Sequence, residues 1–335
     1  MTQDFSLFDL ESLQPASRGV SSDPGVEAVR AWFVGQKDYV NRFAQAFRKS
    51  IDEVLDGQRT GRYDLYVKEG DGRVEKTEKT YLGTKVEIVV RAEFDLGYGS
   101  PMDYMIAGQH VDAKWTMGKT WTIPKEAMGH ICLVMRADDR TREFQVGLLR
   151  ITEEVLNVGL NGDEKRGTSA ASRAGISWIV KDGKLPANFL LNLKNESPEK
   201  IQAIFRASDE YRGSGNGGQL RVNELFRQVP GQLVDRTTVV TVATQHDSPK
   251  RVRDARKHLR PEGIVVLGHT RPAPRIAEAL GLPIPERGFW VSARLAVVPE
   301  GDARPSEVIN GVRYGIWRQG DAPIEAPIVS KESDE

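Results

Sequence analysis

The chain has 335 residues, 39% hydrophobic and 28% charged, and its 47 basic and 47 acidic side chains cancel. That length favours two domains over a single core. No apolar run is long enough to cross a bilayer, the N-terminal Met-Thr-Gln-Asp-Phe-Ser-Leu-Phe-Asp-Leu lacks a signal peptide's basic start and apolar stretch, and the single cysteine excludes an intrachain disulfide; together these predict a cytoplasmic protein with no membrane partner.

Residues 1–24 are polar and rich in Ser and Pro, and are expected to form a mobile arm. From Gly25 the apolar positions Val29, Trp32, Phe33, Val40, Phe43, Ala44, Phe47, Ile51 and Leu55 predict one long amphipathic helix. Asp23 with Pro24 marks its start and Gly57 its end. A strand-rich region is expected from Gly61 to Leu149, with Asp71-Gly72 between strand-like stretches. Within it, Val86, Ile88 and Val90 alternate with Glu87, which reads as a strand with Glu87 on the opposite face. Gly97-Tyr-Gly-Ser-Pro101 breaks the chain, and Met102 to Lys114 reads as a hairpin bent around Ala107-Gly108-Gln109. The runs Ile131–Met135 and Glu143–Ile151 complete a mixed sheet. The first expected domain spans 25–160, and the polar stretch 161–168 is the expected linker.

The region 169–318 forms the second expected domain. The glycine-rich run Arg212 to Gly218 lacks the Lys-Ser or Lys-Thr of a P-loop and reads as a plain loop. Val222–Val229 can form a helix closed by Pro230-Gly231, and Thr237–Thr244 fits either helix or strand. Asp247-Ser-Pro249 caps a third segment, Lys250 to Leu259, whose Val252, Ala255 and Leu259 are apolar and whose other faces are basic. Ile264–Leu267 reads as a strand. Helix, short element, basic helix and strand is the order of a winged helix-turn-helix domain, although a solvated basic helix occurs on other α/β domains too. From Arg221 to Arg275 there are eleven basic side chains against five acidic ones, a local excess of six that suits a nucleic-acid face in a neutral protein. Residues 319–335 read as an acidic, proline-containing tail.

The chemistry is suggested by the hairpin. Asp112 and Lys114 share a strand face, the turn returns Asp103 beside Asp112, and Glu87 can project toward the same edge. Hydrolysis of a phosphodiester needs a divalent cation held by carboxylates and a cation near the attacking water, and this set supplies both. Charges alternating on a surface hairpin would give the Asp-Lys pattern by itself. Glu93 and Asp95 are rivals of Glu87 as metal ligands, and Cys132, inside an apolar run, reads as a core residue.

Several stretches in order resemble the NaeI family of type II restriction endonucleases over most of the chain. They are Leu55-Asp-Gly-Gln-Arg-Thr-Gly-Arg62, the set Glu87, Asp103 and Asp112-Ala-Lys114, Arg173 to Trp178 with Leu185 to Leu190, Lys250 to Ile264, and Gly281 to Pro285. The resemblance implies an α/β (α+β) protein, with an N-terminal mixed sheet and flanking helices and a C-terminal DNA-binding domain similar to that of the catabolite activator protein. It also implies a homodimer that cuts double-stranded DNA with Mg²⁺, binds a second DNA copy as effector, and is accompanied by a cognate methyltransferase. By position, Glu87, Asp103 and Asp112 would be the metal-binding acids and Lys114 the partner of the nucleophilic water. The Leu55 to Arg62 stretch is similar to the nucleotidyl-transfer motif of DNA ligases, but Val54 stands where the nucleophilic lysine would be. Arg59, Arg62, Lys250, Arg251, Arg253, Arg256 and Lys257 are the expected DNA-contacting residues. A non-catalytic DNA-binding regulator and a nicking or repair endonuclease are the alternative readings.

Overall fold

The computed structural model describes residues 23–66, 76–162, 164–213, 215–245 and 247–329. The expected arm lies outside them save for Asp23 and Pro24, as does the Asp71-Gly72 turn. The described chain divides into two compact units, 23–54 with 76–187, and 55–66 with 188–329. Both mix helices and sheets, and the chain is α+β.

The expected long helix is two helices, α1 (Pro24–Val34) and α2 (Tyr39–Leu55). Asp23 caps α1 by accepting from the N–H groups of Gly25 and Val26 (2.9 and 3.0 Å), and Arg150 holds the same carboxylate at 2.7 Å. Gly35 ends α1, and Asp38 takes a left-handed φ of 54° that turns the chain into α2. After a short helix α3 (Gly57–Thr60), α4 runs from Lys76 to Phe94.

Helix α4 corrects the strand expected at 84–92. Leu82, Val86, Val89, Val90 and Phe94 are its buried residues, a 3.6-residue stripe, whereas Ile88 is 48% exposed. The alternation of Val86, Ile88 and Val90 spans only five residues, too few to distinguish a strand from part of that stripe.

The first unit's main sheet runs β1 (Gly97–Tyr98), β2 (Tyr104–Ile106), β3 (Gln109–Thr116), then past β4 (Thr122–Ile123) to β5 (Ile131–Asp138), β6 (Glu143–Arg150) and, last in space, β9 (Ser177–Lys184). Only β3 and β5 pair in parallel; the other neighbours are antiparallel, so the sheet is mixed. The expected hairpin is β2–β3, and its two-residue turn is Ala107-Gly108, both at positive φ (47° and 73°). Helices α1, α2 and α4 pack on this sheet, α2 through Phe47–Phe144 (5.4 Å between centroids), while Phe43–Phe94 (4.4 Å) joins α2 to α4. A small sheet joins β4, β8 (Arg166–Thr168) and β7 (Leu156–Leu160). The stretch 161–168 therefore contains strand β8 of this sheet, and the compact units divide between 187 and 188.

The second unit begins with α5 (Phe189–Glu196) and α6 (Pro198–Arg206), followed by α7 (Gly217–Gln228), β10 (Val234–Asp235), α8 (Arg236–Ala243) and α9 (Ser248–Leu259). Segment 237–244 is thus helical, capped by Asp235, which accepts from Thr238 N (2.7 Å). Thr244 closes α8 at a left-handed φ of 49°, and Asp247 caps α9 through Lys250 N (3.1 Å). Then come β11 (Ile264–Leu267), α10 (Ala273–Ala279), β12 (Phe289–Val297), β13 (Ser306–Ile309) and β14 (Val312–Ile316). Successive parts of β12 pair antiparallel with β10, β11 and β14. Val222, Leu225 and Phe226 of α7, Val239 and Val242 of α8, and Val252, Ala255 and Leu259 of α9 share one core. Gly218 lets α7 and α8 approach; a Cβ there would fall 2.3 Å from the Ala243 carbonyl oxygen.

The tail expected from 319 is packed as far as 329. Ala326 is buried against β-sheet residues such as Val265 and Leu295, Arg260 Nε donates to its carbonyl (2.9 Å), and Asn310 Nδ2 donates to the carbonyl of Ile328 (3.0 Å).

Candidate functional site

Strand alternation places Asp112 and Lys114 on one face of β3 and Val111, Ala113 and Trp115 on the other. The second set anchors the strand: Trp115 packs edge-on against Phe47 of α2 (5.1 Å). On the first face, Lys114 Nζ lies 2.6 Å from Asp112 Oδ2. Asp103, just before β2, accepts from the backbone N–H of Ala113 (2.8 Å), which fixes its carboxylate beside β3 and within hydrogen-bonding range of Asp112. The hairpin thus brings Asp103, Asp112 and Lys114 together.

Burial pushes Asp112 up to about 6, opposed by the Lys114 charge and reinforced by the Asp103 carboxyl. Two carboxyl groups this close, one of them reluctant to ionise, form a hard-oxygen donor pair that a dication would relieve of its repulsion. The donor chemistry fits Mg²⁺. A buried thiol adds a third contact: Cys132, opposite Asp112 in the β3–β5 pair, has Sγ 3.8 Å from Asp112 Oδ2, and burial pushes that thiol well up.

Glu87 comes to this site from α4, not from a strand. Its carboxylate accepts from Arg91 Nη2 (2.8 Å), one turn along the same helix, and its backbone carbonyl accepts from Tyr104 Oη (2.8 Å). Burial raises its pKa, the Asp103 charge adds to the rise, and Arg91 offsets part of it. Among the described residues, no three His, Cys, Asp or Glu side chains converge as a ready metal cage. Asp103 and Asp112 are placed as a pair, while Glu87 is turned to Arg91. Its rival Glu93 is bound by Arg42 Nε (3.0 Å), and Asp95 lies past the end of α4.

The expected DNA-contacting residues separate into groups. On α9, Lys250, Arg253 and Lys257 fall on the face opposite Val252, Ala255 and Leu259, and all three are exposed. Arg251 is half-buried toward α7, and its backbone carbonyl accepts from Gln219 Nε2 (2.9 Å). Arg256 turns toward β11, where Nε donates to the Val266 carbonyl (2.8 Å). Arg59 is exposed but paired with Asp56 (2.6 Å), and Arg62 is half-buried. The ligase-like stretch docks on α8, where a Cβ on Gly57 would fall 2.3 Å from Thr241 Oγ1. Its Gly57 therefore has a packing role, and its Asp56 pairs with Arg59.

The profile of the family described as "Restriction endonuclease NaeI" matches residues 35–325. The curated "Type II restriction enzyme NaeI" of Lentzea aerocolonigenes is 41% identical over 318 residues, covering 93% of this chain and 96% of that protein. The chain belongs to the NaeI restriction endonuclease family. The matched region takes in both the β2–β3 site and α9 of this family member.

Sequence reasoning missed Arg91 and Tyr104. Once α4 is a helix, Glu87 and Arg91 stand at the i, i+4 spacing that joins opposite charges, but a strand reading hides that signal. It also missed that Arg221, counted in the basic stretch, caps α8: its Nε and Nη2 donate to the carbonyls of Val242 (2.7 Å) and Ala243 (2.9 Å).

Proposed function

We propose that the protein is a type II restriction endonuclease that hydrolyses phosphodiesters of double-stranded DNA at a specific sequence, with Mg²⁺ as cofactor. The observation that carries this reading is Lys114 Nζ 2.6 Å from Asp112, with Asp103 beside them, on one face of a mixed sheet in a member of this family.

Asp103 and Asp112 would hold the metal, with Glu87 completing the set. Bound there, Mg²⁺ supplies Lewis-acid polarisation of the phosphate and a more acidic water. Asp112, held near the strand by Lys114 and Cys132, keeps its donor oxygens fixed toward Asp103. Lys114 orients the attacking water and neutralises charge that develops on the phosphate oxygens, a role suited to an ammonium already inside the site.

In the same reading, residues 188–329 act as a winged helix-turn-helix module. The order α7, β10, α8, α9, β11 and β12 supports it, with α9 as the helix offered to the major groove. Lys250, Arg253 and Lys257 make the principal contacts, and Arg251, Arg256, Arg59 and Arg62 support the face. A homodimer would present two sites, one for each strand, and a second DNA copy would act as effector. A cytoplasmic location and a partner methyltransferase complete the proposal.

The test is incubation of purified protein with plasmid DNA and Mg²⁺, beside Lys114→Ala. Discrete linear fragments that the variant fails to produce support the reading. Nicked circles would indicate a single-strand endonuclease, and DNA bound without cutting would indicate a regulator.

A further inference from the structure

Arg91 occupies a position that the proposed chemistry leaves unexplained. Its guanidinium lies between an acid and an aromatic platform: Nη2 donates to Glu87 Oε1 at 2.8 Å, while the guanidinium carbon sits 4.5 Å from the Tyr98 ring centroid and 5.4 Å from that of Tyr104. The Arg91 side chain is only 17% exposed, and its buried Nε has no hydrogen-bond partner among the described residues. Tyr98 is 82% exposed, so the platform opens to solvent on one side. A mostly buried guanidinium that keeps one donor unsatisfied is an uncommon arrangement, because an unmade hydrogen bond at a charged group is costly. It is understandable if the guanidinium has a second partner, absent from the free protein.

The acids supply the second half of the argument. Asp103 and Asp112 are adjacent, but Glu87 is engaged by Arg91, and the described residues contain no closed three-acid cage. The contact that neutralises Arg91 is the contact that engages the Glu87 carboxylate.

We propose that Arg91 is a positioning residue that withholds Glu87 from the metal site in the DNA-free protein and releases it when a DNA backbone phosphate takes over the guanidinium. The guanidinium fork suits either partner, since it binds carboxylate and phosphate through the same pair of N–H donors. DNA binding and assembly of the metal site thereby become one event. The free protein holds a dication poorly; the DNA-bound protein holds it with all three acids. This inference rests on the nuclease reading of the same site.

The experiment measures Mn²⁺ binding to DNA-free protein by isothermal titration at pH 8, for wild type, Arg91→Gln, Arg91→Gln with Glu87→Gln, and Tyr98→Ala. Arg91→Gln is expected to bind Mn²⁺ about tenfold more tightly than wild type, the worth of one charge-assisted hydrogen bond. Adding Glu87→Gln should remove the gain. Tyr98→Ala, at an exposed position that can be changed without loss of folding, should give a smaller gain in the same direction. Cleavage of plasmid DNA at saturating Mg²⁺ should fall in Arg91→Gln, since the phosphate has lost its partner. Unchanged Mn²⁺ affinity in both Arg91→Gln and Tyr98→Ala overturns the proposal and leaves Arg91 as packing for the tyrosines. If wild type cuts no DNA, the nuclease reading fails while the Mn²⁺ comparison still reports whether Arg91 withholds Glu87.

Discussion

The acidic site of the first unit and the basic helix of the second are both dense in charge, and they manage it in opposite ways. At the β2–β3 site the charges are satisfied by one another: Lys114 on Asp112, Arg91 on Glu87, a backbone N–H on Asp103. On the outer face of α9, Lys250, Arg253 and Lys257 form no ion pair among the described residues. Buried charges must be neutralised locally because water cannot do it for them, whereas exposed cations remain solvated and available. Under the proposed function, chemistry would use the first arrangement and DNA capture the second. The difference separates residues whose loss should stop a reaction from residues whose loss should only loosen a complex.

The largest expected effect tests the paired site. Lys114→Ala and Asp112→Ala should each lower the cleavage rate by about 10³-fold or more, the scale on which a positioned proton-transfer group contributes. Binding of duplex DNA, followed by fluorescence anisotropy with Ca²⁺ in place of Mg²⁺, should stay near wild type. A Lys114→Ala variant that cuts at the wild-type rate would show that the pair is structural. Next in size is a cation of the second unit that behaves like the first unit's charges. Arg221 donates to the carbonyls of Val242 and Ala243 and to the hydroxyls of Thr244 (2.5 Å) and Ser208 (2.8 Å). Arg221→Met should leave those acceptors short of partners and destabilise the unit by about 2–4 kcal/mol, read from urea unfolding. If Arg221→Met unfolds like wild type but loses DNA affinity, Arg221 belongs with the outward cations instead.

Much of this was legible in the sequence, for reasons that differ by residue. The β2–β3 hairpin could be read because Ala107-Gly108 is a two-residue turn and the i, i+2 spacing of Asp112 and Lys114 fixes a shared face in any strand. Helix α9 could be read because Asp247 and Pro249 mark its start and three apolar positions mark its buried side. Helix α4 could not, since Val86, Ile88 and Val90 satisfy a strand's period over five residues, and the helix shows in the buried Leu82, Val89 and Phe94 and the exposed Ile88. That error hid Arg91 behind Glu87. The break between α1 and α2 was obscured because Gly35 and Asp38 interrupt a pattern whose apolar spacing continues beyond them. The order of the tail residues to 329 depends on Ala326 entering a distant core, which local composition does not encode.

Smaller effects are expected on the outward face of α9. Each of Lys250→Ala, Arg253→Ala and Lys257→Ala should weaken DNA binding similarly for specific and non-specific duplexes if it meets a phosphate, and should reduce the salt slope by about one. A variant whose slope is unchanged while discrimination between sequences falls would mark a residue that reads a base edge. Arg59→Ala gives a control for the comparison, because its guanidinium is already paired with Asp56 in an exposed position. Its slope change should be smaller than that of the α9 cations. A change as large as theirs would mean that the Asp56 pair yields to phosphate.

The smallest expected effect is a stability change that separates folding from function within the paired site. Asp112 titrates at about 6 in the folded protein against an ordinary value of 3.8, chiefly because burial disfavours its charge. The folded state therefore binds this proton more tightly than the unfolded chain. Stability contributed by the protonated form is present at low pH and is lost as pH rises through about 6. At pH 8 the ionised carboxylate is a cost to folding that Lys114 only partly offsets. Asp112→Asn, which has no proton to lose, should be more stable than wild type at pH 8 by roughly 1 kcal/mol, after allowance for the lost Lys114 pair. The advantage should shrink or reverse by pH 4.5, where the wild-type carboxyl is mostly protonated. Thermal unfolding of both proteins across that range, with plasmid cleavage measured alongside, gives the comparison. A stabilised and inactive Asp112→Asn would show that the carboxylate is kept at a cost to folding for the sake of the reaction. Equal stability at both pH values would mean that Lys114 compensates the buried charge in full, against the Asp103 carboxyl beside it, and the acidic site would then resemble the basic helix in its cost to the fold.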